Sequence, residues 1–208
     1  MQMDEAAFPI LLVDILRRLS PFVLGDLQRW WAMVSRAAGH IIRNGPVTQQ
    51  DRWEEDAGYS PFTLAVEVSG LLAAADLADA VGQADIATHL RETADCWNEN
   101  IERWTYAQDS DLARQLGVEG YYVRIAPPDS DCAASPMDGF VPIKNRPPGQ
   151  SESRRVHLLS PDSLRLGRFG FPPTGGPLPL HTVQVICPLP QVTLPRALCW
   201  FHIHSSGS

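Results

Sequence analysis

Residues 60–82 read SPFTLAVEVSGLLAAADLADAVG. Ser60-Pro61 has the form of an N-cap followed by proline in the first helical turn, and Gly82 suits a C-terminal stop. Between them only Glu67, Ser69, Gly70, Asp76 and Asp79 interrupt an apolar surface. A helix over 62–81 without a polar face must be covered on every side. The segment that follows is built differently. Over 85–104, Ile86, Leu90, Ala94, Trp97, Ile101 and Trp104 fall on one stripe, while Arg91, Glu92, Asp95, Asn98, Glu99 and Glu102 face the other way.

Upstream the same pair occurs once more. Residues 8–19 are apolar almost all round, with Phe8, Ile10, Leu11, Leu12, Val13, Ile15 and Leu16. Residues 23–43 carry one stripe of Val23, Leu27, Trp30, Trp31, Val34, Ala38, Ile41 and Ile42, ended by Gly45-Pro46. Alternating covered and one-sided helices are what two concentric helical layers require, so the pattern predicts an all-α fold of the α/α toroid type. A solenoid of helix pairs is the alternative, although no repeat recurs at a fixed period. The two covered helices should lie side by side, and a toroid present only in part should expose apolar patches at its open edges.

Beyond residue 106 the helical period stops. From 107 to 160, Pro127-Pro128, Pro136, Pro142 and Pro147-Pro148 with several glycines predict a long irregular excursion, with Tyr121-Tyr122-Val123 as a short strand and Ser160-Pro161 opening one more helix to about Phe169. Loops of that length in a compact domain usually serve function. Residues 171–208 contain seven prolines and no Asp or Glu. They read as a poorly ordered tail, with Thr182–Ile186 as its one strand candidate.

Composition narrows the function classes. The chain has 208 residues, 44% hydrophobic and 20% charged, which fits one globular core. A net charge of −7 without a basic cluster argues against a nucleic-acid partner. The apolar stretch 8–16 precludes neither secretion nor export of a longer parent, but it contains no signal peptide, since Asp14 follows within it and no basic run precedes it. It is also too short to cross a bilayer, which takes about 20 residues. Cys96, Cys132, Cys187 and Cys199 make no CxxC pair, and Cys199, His202 and His204 lack a fourth ligand, so no metal site is expected.

The chemistry concentrates between the two hairpins, in Asp51-Arg52-Trp53-Glu54-Glu55-Asp56. In a toroid, loops that enter the inner helices gather at the mouth. Two adjacent carboxyl groups beside an indole suit glycoside hydrolysis: a neighbouring like charge and an apolar ring both favour a protonated acid, and an indole face stacks on sugar. The same residues also serve as solvated loop charges in many proteins.

The wider stretch resembles glycoside hydrolase family 15, the glucoamylase and glucodextranase type. The residues that carry the resemblance are Gln2-Met3-Asp4-Glu5, Gly45-Pro46, Asp51-Arg52-Trp53-Glu54-Glu55, Gly58-Tyr59-Ser60-Pro61-Phe62-Thr63, Gly120-Tyr121-Tyr122-Val123-Arg124 and Phe140-Val141-Pro142-Ile143-Lys144-Asn145-Arg146-Pro147. The resemblance covers residues 1 to about 169, read as part of a catalytic domain, with 170–208 as a divergent tail. It implies a partial (α/α)6 toroid and an inverting exo-glucosidase acting on an α-glucan or another glucoside, with no cofactor. It assigns Glu54 as general acid, Glu55 to sugar hydroxyls and Trp53 to the pocket lining. The family's general base lies near the end of the domain and finds no counterpart here, and the first hairpins are missing too.

Three further residues are candidates for substrate contact. Asp4 precedes an inner helix at the mouth, where an N-cap role is the alternative. Tyr121 and Arg124 are candidates for a sugar platform, with loop packing as the alternative. Lys144 and Arg146 read as loop-anchoring charges. A trehalase of the same family, a non-catalytic helical binding module and an inactive gene fragment are the rival functions.

Overall fold

The computed structural model describes residues 2–19, 27–54, 56–128, 135–142, 152–154, 159–164, 166, 177–186, 191–194 and 197–200. Four long helices dominate: α1 Asp4–Leu19, α2 Leu27–Asn44, α3 Pro61–Ala80 and α4 Ala84–Thr105. They pack as two antiparallel hairpins, α1 with α2 and α3 with α4, and α1 lies against α3. The result is part of an α/α toroid, with α1 and α3 as the inner layer.

Helix α3 behaves as its sequence demands. Ser60 Oγ accepts from the Thr63 N–H at 3.4 Å, Pro61 opens the first turn, and Gly82 follows the C-terminus at φ 79°. Between Pro61 and Ala78 every residue except Ser69, Leu72 and Asp76 is buried, Glu67 among them. Among the described residues α3 alone is long and apolar enough to cross a membrane, but most of its surface is covered by its neighbours. The outer helices each bury one stripe: Val34, Ala38 and Ile41 on α2, and Ala87, Leu90, Ala94, Trp97 and Ile101 on α4. Ile86, expected on the α4 stripe, is exposed instead at the helix start.

Helix α1 departs from its reading as a helix covered all round. Ala7, Ile10 and Val13 are buried, but Phe8, Leu12, Ile15 and Leu19 are 45–79% exposed. Among the described residues α1 packs mainly on α2 and α3, and its third side is left exposed. This is the open edge that a partial toroid must have.

The inner helices approach closely at Gly70, where a Cβ would stand 2.9 Å from the Ala7 Cβ. Gly70→Leu should therefore force α1 and α3 apart. Overpacking of this kind costs roughly 1–3 kcal/mol and outweighs the gain of about 1 kcal/mol in helix propensity. A thermal melt followed by circular dichroism should show a lower Tm.

The excursion after α4 is more regular than its prolines suggest. Strands β1 Tyr106–Gln108 and β2 Gly120–Tyr122 pair antiparallel, Tyr106 with Tyr122, around a short helix α5 Asp111–Leu116. Strands β3 Phe140–Pro142 and β4 Glu152–Arg154 form a second ribbon. A 3-10 turn, Pro161–Leu164, opens the segment where a helix to about residue 169 is expected, and residues 165 and 167–169 lie outside the described residues. Tyr59, Leu64, Ile101, Tyr121, Tyr122, Val123 and Leu166 bind this region to the toroid as a second apolar core.

The tail holds a further correction. Residues Pro177–Ile186 form helix α6 rather than a strand over 182–186, and α6 packs on β2. Thr182 Oγ1 accepts the Tyr122 N–H at 3.0 Å, and Val185 and Ile186 are buried. The prolines at 177 and 179 fall within the first turn, where a missing N–H does no harm. Two more strands, β5 Gln191–Leu194 and β6 Ala197–Trp200, make a hairpin.

Candidate functional site

The loop between α2 and α3 is closed by its own backbone. Thr48 and Gly58 bridge through two hydrogen bonds, Thr48 N–H to Gly58 O at 3.0 Å and Gly58 N–H to Thr48 O at 2.9 Å. Tyr59 then bridges Ala126. Gly58 must be glycine: its φ is 150°, and a Cβ would stand 1.9 Å from the Ala126 carbonyl oxygen. Within the loop the Asp51 N–H donates to Asp56 O at 2.9 Å, and the Glu54 N–H donates to Asp51 O at 2.8 Å. Asp51 Oδ1 also accepts the Trp53 N–H at 3.1 Å. The outcome is a tight turn with Glu54 at φ 61°, exposed at the N-terminal end of α3. A non-glycine residue in that conformation is uncommon and persists only where its surroundings fix it.

The surroundings here are ionic. Arg124 Nε pairs with Asp51 Oδ2 at 3.1 Å and its Nη2 with Asp56 Oδ2 at 3.4 Å, all three side chains at most 9% exposed. One buried guanidinium thus ties both ends of the turn. Arg52, on the outer side, stacks its guanidinium carbon 5.4 Å from the Trp53 ring and 4.9 Å from the Phe62 ring. Trp53 remains 41% exposed. A cleft between this turn and the 3-10 turn is lined by Asp51, Arg52, Trp53, Phe62, Arg124 and Asp162.

The sequence of residues 1–147 matches the profile of Glycosyl hydrolases family 15. The chain belongs to this family. It is 34% identical to a glucoamylase from Clostridium sp. (strain G0005), over 99% of this chain and 27% of the relative. It also superposes on the crystal structure of a bacterial glucoamylase complexed with acarbose, with a TM-score of 0.80 at 33% identity, over 97% of this chain and 27% of the other. The chain therefore spans about a quarter of the length of the relatives it matches.

Against this family 15 background the expected site residues separate into two groups. Trp53 and Glu54 share the exposed turn, and Asp4 lies close enough that the charges of Arg52 and Asp51 act on it. The Met3 N–H donates to Thr48 Oγ1 at 3.3 Å, which holds the start of α1 against the same loop. Glu55 lies outside the described residues, as do Lys144, Arg146, His202 and His204. Tyr121 and Arg124, expected as a sugar platform, pack inward instead. Tyr121 is fully buried with its hydroxyl accepting from Ser110 Oγ at 3.1 Å, and Arg124 is the core of the ion pair described above. Arg124 holds the 51–56 loop, whereas Tyr121 belongs to the second apolar core.

One carboxyl group behind the turn, next to Asp4, escaped the sequence reading. Glu67 is fully buried on α3, and among the described residues neither of its carboxyl oxygens has a hydrogen-bond partner. Burial first, then the neighbouring Asp4 charge, holds its pKa well above the ordinary value of 4.5. Burial also raises Asp4, opposed in part by a backbone hydrogen bond and by Arg52. Only the neutral form of Glu67 is compatible with such surroundings.

The sign of the pH effect follows. Unfolded Glu67 ionises above about pH 4.5 and folded Glu67 does not. Its contribution is fully present below that pH and is lost as pH rises toward the folded pKa. Glu67→Gln, which stays neutral, should raise Tm relative to the parent at about pH 8 and much less at about pH 5. Melts at the two pH values check this, and an equal Tm difference at both would contradict the buried-acid account.

Proposed function

We propose that this chain carries the acid side of an inverting exo-glucosidase site of the glucoamylase type. Glu54 protonates the departing glycosidic oxygen, Glu55 binds sugar hydroxyls, and Trp53 lines the same pocket. Asp4 adds a polar group at the mouth. The observation that supports this most is the placement of Glu54, exposed on a fixed turn at the entry to an inner helix, inside the stretch that matches family 15. The relatives are a glucoamylase and a glucoamylase that binds acarbose, which favours an α-glucan or a related glucoside as substrate. The mechanism requires no organic cofactor.

Inversion needs a second carboxylate about 6.5–9.5 Å from the acid, on the far face of the sugar, to activate water. No Asp or Glu follows Asp162 in these 208 residues. Asp109, Asp111, Glu119, Asp129, Asp131, Asp138 and Glu152 match no family motif for a base. The isolated chain should accordingly release no glucose from maltose, a dextran oligomer or trehalose beyond a Glu54→Gln control. A chimera in which this chain replaces the aligned segment of the Clostridium glucoamylase should regain activity. Clear turnover by the isolated chain that vanishes in the Glu54→Gln control would place a base within these residues or in a partner copy. A folded chimera without glucosidase activity would remove the function itself.

A further inference from the structure

Three donors from two distant segments converge on the carboxylate of Asp162. The Trp53 indole N–H donates to Oδ2 at 3.1 Å, Arg52 Nη1 pairs with Oδ1, and Ser160 Oγ donates to Oδ2 at 2.6 Å. Trp53 is 109 residues away in the chain. The Asp162 side chain is 13% exposed, against 34% for Arg52. Its own segment is held in place: the Asp162 N–H donates to Ser160 Oγ, and Ser163 Oγ donates to the Ser160 carbonyl, both at 3.3 Å. The 3-10 turn that carries it packs on α3.

We propose that Asp162 is the positioning residue of the acid loop. Arg124 grips the two ends of the turn from the buried side, at Asp51 and Asp56. Asp162 grips the residues between them, on the outer side, and sets the orientation in which Trp53 and Glu54 meet a sugar. The catalytic part of this statement rests on the glycosidase reading of Glu54; the clamp itself rests on the three contacts.

A carboxylate is required by the donor count. Ionised Asp offers two acceptor oxygens with about four lone pairs, whereas Asn offers one oxygen and an NH₂ group that would face a donor. Asp162→Asn is therefore isosteric yet disruptive to the clamp. Because Trp53 and Arg52 are both partly exposed, water replaces their lost partner and the fold survives.

The test uses the full chain labelled with ¹⁵N. Its six tryptophans give six indole N–H signals, and Trp53→Phe identifies the one from Trp53. Asp162→Asn should move the Trp53 signal and speed its hydrogen exchange about tenfold or more, as expected for loss of a charge-assisted hydrogen bond. The other five signals and Tm should stay in place, and Asp162→Glu should restore part of the protection. An unmoved Trp53 signal with unchanged exchange overturns the proposal. So does a shift of all six signals with a fall in Tm, since Asp162 would then support the fold as a whole. The glycosidase reading is judged separately by glucose release from the chimera, so either can fail while the other stands.

Discussion

Glu54→Gln in the chimeric glucoamylase should lower kcat on maltose by about 10²–10⁴-fold, the usual worth of general-acid assistance. Gln has the shape of Glu but no proton to give, so the glycosidic oxygen must leave as an alkoxide. The size of the loss should depend on the leaving group. Glucosyl fluoride, whose fluoride departs without a proton, should be turned over at nearly the parental rate. Glu55→Gln should act differently, mostly raising KM, because hydroxyl contacts made in both ground and transition states contribute to binding more than to kcat. Steady-state kinetics on the two substrates separate these cases. A kcat on maltose within a few-fold of the parent would show that Glu54 is not the acid.

The second large effect is on stability. Asp51→Ala should destabilise the chain by about 3–5 kcal/mol, the cost of leaving a buried charge without its partner. Arg124 is 3% exposed and Asp51 1%, so water cannot reach the guanidinium to compensate, and the contact to Asp56 at 3.4 Å is longer than the 3.1 Å one that is lost. For a chain of this size each kcal/mol moves Tm by roughly 2–4 °C. Replacing the pair together, Arg124→Met with Asp51→Leu, should cost much less than the single change, since no orphaned charge remains. A double-mutant cycle in urea checks both statements. The same variants should shift the Trp53 indole environment, because the turn it stands on loses its lower tether.

Much of this fold is legible locally. The covered α3, the one-sided α4, the Ser60 cap and the Gly82 stop follow from residues within a turn or two of each other. Glu54 and Trp53 are singled out the same way, as a short motif in a loop between hairpins, and they share one exposed turn. What local reading left out has a common origin. Tyr121 and Arg124 belong to the motif by sequence, but burial decides whether a side chain meets a sugar or a neighbouring loop, and burial depends on segments far along the chain. Residues 182–186 are β-branched enough to suggest a strand; packing against β2 and the Tyr122–Thr182 hydrogen bond favour a helix instead.

The sequence by itself determined that the chain is helical and that its helices come in two layers. Hydrophobic periodicity carries this, because it records which sides of each helix must be covered. Only the tertiary structure decided what covers them. It left one side of α1 exposed, enclosed Glu67 with no hydrogen-bond partner among the described residues, and brought Arg124 and Asp162 to opposite sides of one turn. Those outcomes join residues about 70 to 110 positions apart, and a pairing of charges over that distance leaves no period in the sequence by which it could be read.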